Sequence, residues 1–207
     1  MDRAGPFSPG RVRTRLAVPS YLPEEVRVKD VERLEVRPVH EGRVVRLFVE
    51  RVRLPNGNDC ELEIVRHPGA AAVVPVDSEG RVLLVRQYRH ATGGFLLEVP
   101  AGKLDAGEPP DECARREVEE ETGHRAGRLE PLGWIFTTPG FSDERIWLFL
   151  ATDLEVTRQR LQADEVLTVE KVPLPDAVEM AVSGGIADAK SVCALARAAS
   201  RLGIRSS

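Results

Sequence analysis

An α/β fold layered around a mixed sheet is predicted by three features of this 207-residue chain. Its first half alternates apolar and polar residues in short runs bounded by turn residues, which is the period of strands. One helical segment then interrupts the strands, and two more helices close the chain. That order suits helices packed on a mixed sheet rather than a regular βαβ array.

Taken in order, residues 1–29 hold Pro6, Pro9, Pro19, Pro23, Gly5 and Gly10 and read as an irregular leader. Residues 30–66 read as a small antiparallel β lobe. Within it 30–40 and 43–54 are strand-like, with Val45, Leu47, Val49 and the pair Val52/Leu54 in near-alternation. Asn56-Gly57 tolerates positive φ and marks a hairpin, and 60–67 alternates again as the returning strand. A second domain is expected over 67–207. Runs 70–77 and 81–89 flank the turn "SEG" and are apolar enough to be central strands, and 95–100 is another. "PPDECARREVEEETG" predicts a helix, with Pro109 or Pro110 in its first turn, acids at its N-terminal end and Gly123 as its stop. "LEPLGWIFTT" and "ERIWLFLATDL" are strands around the loop "PGFSD", and "VLTVEKVPL" is the last strand. Two helices split by Gly184-Gly185 finish the chain.

Bulk properties exclude several classes. A net charge of −4 gives no broad nucleic-acid footprint. No apolar run approaches the roughly 18 residues of a membrane span, and no charged segment followed by an apolar one opens the chain as a secretion signal would. Cys60, Cys113 and Cys193 are odd in number and widely spaced, fitting neither a disulfide framework nor a zinc site. A reducing, cytoplasmic location is the expectation.

The helical segment carries the chemistry. Glu117, Glu120 and Glu121 fall at i, i+3 and i+4 and so share one face. Three acids on one face repel unless a cation neutralises them, and hard divalent cations prefer oxygen ligands, so the face is a candidate Mg²⁺ or Mn²⁺ site. Taken alone, the same pattern favours a solvated acidic face paired with Arg115 and Arg116.

The spacing of the whole segment decides between these. It resembles the signature of the Nudix hydrolase family, G-x5-E-x7-R-E-U-x-E-E-x-G-U with U a bulky apolar residue. Gly102, Glu108, Arg116, Glu117, Val118, Glu120, Glu121 and Gly123 stand at the required positions. His124 departs from the last apolar position, which is expected to weaken packing below the helix. The resemblance implies an α/β/α sandwich that cleaves a nucleoside diphosphate linked to another moiety. It implies Glu117 and Glu121 as metal ligands, Glu120 as a further ligand or support, and the Ala101 carbonyl completing the set. Arg116 would orient Glu117 through a charge-assisted bond, and Glu108 would be a supporting acid.

The flanks are similar to the ADP-ribose pyrophosphatase group of that family. "VRQYRHATGGFLLEVPAG" (85–102) matches its approach to the signature, Pro139 lies sixteen residues after Gly123, and "PGFSDE" and "VSGGIADAKSVCALA" follow its pattern. By position the resemblance implies Arg89 at the substrate phosphates. It also implies Glu98 near the ribose, or else an exposed strand residue. Glu144 becomes a ribose-binding acid, or a loop ion pair with Arg145, and Arg66 a second arginine toward the ligand. The water-activating base is expected from "QADEVLTV": Glu165 first, then Asp164, with Glu120 and Glu144 as rivals. An adenine-stacking aromatic is expected after Gly42, yet Val44 and Val45 stand there, with Phe48 nearby. The resemblance further implies a homodimer joined through the N-terminal lobe. The reading is thus a Mg²⁺-dependent hydrolase of ADP-ribose, giving AMP and ribose 5-phosphate. Another nucleoside diphosphate sugar such as GDP-mannose is the alternative. A ligand sensor of the same fold is the alternative of another class, set against by the intact acids.

Overall fold

The computed structural model describes residues 31–163 and 165–204; the leader (1–29) and Asp164 lie outside the described residues. The chain divides into two compact units, the first holding 31–67 with Thr138–Asp143, the second Pro68–Thr137 with the chain from Glu144 onward.

In the first unit β1 (Glu32–Glu41), β2 (Arg46–Arg53) and β3 (Asp59–Arg66) form an antiparallel sheet in the order β1-β2-β3. The β2–β3 turn forms where Asn56-Gly57 predicts it. Gly57 has φ +86°, and Asn56 Oδ1 accepts from Asn58 N at 3.0 Å. Residues 138–143 belong to this unit because they bind β3. Val65 N donates to Phe141 O (2.7 Å), Asp143 N donates to Val65 O (3.2 Å), and Arg66 Nη1 donates to Asp143 Oδ2 (2.9 Å).

Among the described residues the second unit contains two sheets and three α-helices. β7 (Ala101–Lys103), β4 (Ala70–Pro75), β9 (Arg145–Val156) and β8 (His124–Phe136) run in the order β7-β4-β9-β8, with β4 and β9 parallel and the other pairs antiparallel. β10 (Leu167–Pro173), β5 (Arg81–Arg89) and β6 (Gly94–Glu98) form an antiparallel sheet in the order β10-β5-β6. The helices are α1 (Pro110–Thr122), α2 (Leu174–Ser183) and α3 (Ala189–Leu202). Alternation along β4 explains the layering. Ala71 and Val73 pack with Cys113, Ala114 and Val118 of α1, while Ala70, Ala72 and Val74 pack with α2 and α3 through Ala177, Val178, Leu195 and Ala198. Helices therefore cover both faces of a mixed sheet, which is the expected α/β/α sandwich. Among the described residues no helix is long and apolar enough to cross a membrane.

Three details differ from the sequence reading. β6 stops at Glu98, since Pro100 cannot donate to a ladder. A short strand, β7, carries Ala101 and Gly102 into the sheet; three residues give too brief an alternation to read. β8 begins at His124, whose Nδ1 lies 2.8 Å from Thr122 O, so the residue that departs from the signature is held by a backbone carbonyl.

Helix α1 ends at Gly123, which has φ +67° and donates its N–H to Glu119 O at 3.0 Å. A Cβ there would lie 2.9 Å from Gln159 N. Gly123→Ala is expected to cost about 1–3 kcal/mol through the left-handed backbone and this close approach. The check is a shift of the urea midpoint at unchanged slope.

Candidate active site

The loop before α1 and the helix itself are tied together by one guanidinium. Arg116 Nε and Nη2 donate to the two Glu108 oxygens at 2.8 and 2.9 Å, and Nη2 also donates to Lys103 O at 3.2 Å. Its Nη1 donates to Glu117 Oε1 at 2.5 Å and lies 3.4 Å from Glu120 Oε2. The guanidinium brings the Glu108 carboxyl down to about 2, and Glu108 first, then Glu117, hold Arg116 firmly charged. The Arg116–Glu117 bond through which the resemblance has Arg116 act is present in the fold.

Glu117 and Glu121 point into the protein rather than to solvent, with 4% and 2% exposure. Burial, then the charge of Glu117, pushes the Glu121 carboxyl up to about 8; Ala101 N–H, 3.2 Å from its Oε2, only partly offsets this. Burial also raises Glu117 against the pull of Arg116, with Glu120 and Glu165 adding to the rise. Gly102 makes the arrangement possible: a Cβ there would sit 1.8 Å from Glu117 Oε1. The solvated-face alternative fails for these two acids, while Glu120 stays half-exposed.

Two enclosed carboxylates, both raised by burial and one raised further by the other, call for a positive partner, and an all-oxygen donor set suits a hard divalent cation. The residues fit such an ion. Among the described residues no three His, Cys, Asp or Glu side chains converge closely enough to hold one alone. A magnesium ion commonly keeps waters and substrate oxygens beside one or two carboxylates.

The other expected residues divide between the two units. Glu165 is half-buried, accepts from Gln162 N at 2.8 Å, and its charge is felt by both Glu117 and Glu121. Glu98 is 1% exposed, so the exposed-strand alternative fails. Its oxygens accept from Arg89 Nε and Nη2 at 2.9 and 2.8 Å, and Lys190 Nζ also donates to it. Burial alone would raise the Glu98 carboxyl, but Arg89 and Lys190 hold it below its ordinary value. Glu144 accepts from Thr137 Oγ1 at 2.6 Å, and the Arg145 guanidinium stacks 4.2 Å from the Trp134 ring centre. Arg66 and Pro139 belong to the first unit, where Arg66 pairs with Asp143 and the buried Glu50. Val44 and Val45 are exposed and Phe48 is half-buried in that unit. Lys190 is the residue sequence reasoning missed. Its signal was the polar start of the last helix, "DAKS", where Asp188 caps α3.

A family model described as NUDIX domain matches residues 65–194. The chain is 43% identical over 159 residues to an ADP-ribose pyrophosphatase of Bacillus subtilis (strain 168), covering 76% of this chain and 86% of that one. It is 39% identical over 166 residues to an ADP-ribose pyrophosphatase of Mycobacterium tuberculosis (strain ATCC 25618 / H37Rv), covering 79% and 80%. The fold also matches a crystal structure of an ADP compounds hydrolase with a TM-score of 0.75 at 24% identity, over 85% of this chain and 96% of that one. The chain belongs to the Nudix family. Within that family it is a pyrophosphohydrolase, like the two bacterial enzymes it resembles over most of its length.

With Glu121 at about 8 in the folded chain against an ordinary 4.5, the folded state holds an extra proton between those values. The resulting stability is full below the lower value and lost as pH rises through the higher. In chelator, the melting temperature is therefore expected to fall across that window, and Glu121→Gln to flatten the fall. Scanning fluorimetry at stepped pH checks this; an equal fall in both proteins would contradict it.

Proposed function

We propose that this enzyme hydrolyses the pyrophosphate of ADP-ribose to AMP and ribose 5-phosphate with Mg²⁺, Mn²⁺ serving as a substitute. The observation that carries the reading is the burial of Glu117 and Glu121 side by side on the signature helix, a costly placement without a cation. The likeness to two bacterial ADP-ribose pyrophosphatases favours ADP-ribose over other nucleoside diphosphate sugars. When bound, the cations would screen the diphosphate charge, polarise the P–O bond and lower the pKa of a coordinated water.

The remaining roles fall to the chain itself. Glu117, Glu121 and the Ala101 carbonyl hold the ions, with Glu120 as a further ligand, and Arg116 keeps Glu117 aimed. Glu165 takes the proton from the attacking water; its electrostatic contact with both buried acids supports it over Glu144 and Glu120. Arg89 binds the phosphates, with Glu98 behind it, and Glu144 binds ribose. Arg66 and Pro139 enter as substrate residues on the family resemblance alone.

The first unit supports a homodimer. It exposes Val36, Val39, Val44, Val45 and Leu62, and a three-stranded antiparallel lobe of this size is marginal by itself. Three free cysteines suit a reducing cytoplasm.

A substrate panel of ADP-ribose, GDP-mannose, UDP-glucose and NADH, with products read by mass spectrometry in ¹⁸O water, tests the reaction. AMP and ribose 5-phosphate from ADP-ribose are expected, with kcat/KM for GDP-mannose lower by about tenfold or more; the reverse preference would overturn the substrate. Glu165→Gln is expected to lower kcat by about 10²–10⁴-fold in a folded protein. Normal turnover would move the base elsewhere. Light scattering at micromolar concentration should give a dimer, and a fully active monomer would contradict the lobe's role.

A further inference from the structure

A chain of contacts runs from the start of α3 to Arg89. Asp188 Oδ2 accepts from Ser191 N and from Lys190 Nζ, both at 3.0 Å, and Ser191 Oγ also donates to it at 2.5 Å. The fully buried Ser191 Oγ accepts from Val99 N at 2.8 Å, which pins the residue after Glu98. Lys190 Nζ then reaches across to Glu98 Oε2. Glu98 in turn grips Arg89 through two of its nitrogens. The Lys190 side chain is only 11% exposed, and its acidic partners are Glu98 and Asp188. A lysine so enclosed is held by its partners and not by solvent.

The geometry distinguishes two levels of function here. Arg89 keeps a substantial part of its side chain open to solvent, whereas Glu98 and Lys190 do not. One cationic partner, Arg89 on β5, binds both Glu98 oxygens and fixes the two groups relative to each other, yet lets the pair shift together. A second, from a different element and itself fixed by a helix cap, leaves one orientation. We propose that Lys190 is a positioning residue that holds Glu98 in the orientation aiming Arg89 at the diphosphate, so that the cap of α3 sets substrate affinity. This rests on the reading of Arg89 as a phosphate-binding residue.

The test is a double-mutant cycle in the full chain, with Lys190→Met, Arg89→Lys and both together, assayed with ADP-ribose and Mg²⁺. Lys190→Met is expected to raise KM about tenfold while kcat falls less, and to add under about twofold in the Arg89→Lys background. Lys190→Arg should recover most of the loss. If Lys190→Met fails to fold, Lys190→Gln keeps a hydrogen-bond donor to Glu98 without the charge and carries the same comparison. An unchanged KM in a folded variant, or equal effects in both backgrounds, overturns the proposal and leaves Lys190 a structural staple. Absence of ADP-ribose turnover by the unaltered chain would instead sink the proposed substrate. The cycle is then read from ADP affinity by calorimetry.

Discussion

The site depends on taking two carboxylates out of water one helical turn apart. Side chains at i and i+4 stand about 6 Å apart, and two negative charges at that distance repel by roughly 3 kcal/mol at an effective dielectric of 20. Around Glu117 and Glu121 the protein is arranged to sustain that repulsion. Gly102 gives up its side chain so that the Glu117 carboxylate has room. Arg116 binds Glu117, and Glu108 keeps Arg116 in place. Ala101 turns its N–H toward Glu121. The signature's glycine, arginine and first glutamate are therefore not independent requirements; each answers the same electrostatic problem. The cation that the donor set suits is the remaining part of the answer.

Much of this was legible in the sequence because it is local. The helix, its proline start, its glycine stop and the shared face of its acids all follow from spacing within 22 residues, Gly102–Gly123. Most strands of both units followed from alternation or from short apolar runs. What the sequence could not display was contact between distant segments. Lys190 meets Glu98 across 92 positions, and no periodic pattern joins a helix cap to a strand end. The same limit explains residues 138–143. Their turn residues were plain, but their attachment to β3 depends on Asp143 meeting Arg66, 77 positions away. β7 was too short for any alternation to register.

Two kinds of buried acid coexist in the protein, and the contrast clarifies the site. Glu50 and Glu98 are each enclosed between two cations, Arg33 and Arg66 for the first, Arg89 and Lys190 for the second. Their charges are settled by the fold itself. Glu121 is as deeply enclosed as Glu98 yet has for a close polar partner a backbone N–H, and Glu117 shares its arginine with two other acids. Charge that the fold leaves incompletely balanced is what sets Glu117 and Glu121 apart, and it supports their proposed role at the site.

The attachment of 138–143 to β3 bears on how such enzymes diversify. Within the first unit, the loop that follows β8 is hydrogen-bonded to the end of β3 and the residue after it, through Val65, Arg66 and His67. A lineage that altered this loop alone would break its backbone pairing and strand a buried glutamate's arginine. Loop and strand are therefore mechanically coupled, and replacing one on this scaffold calls for replacing the other with it.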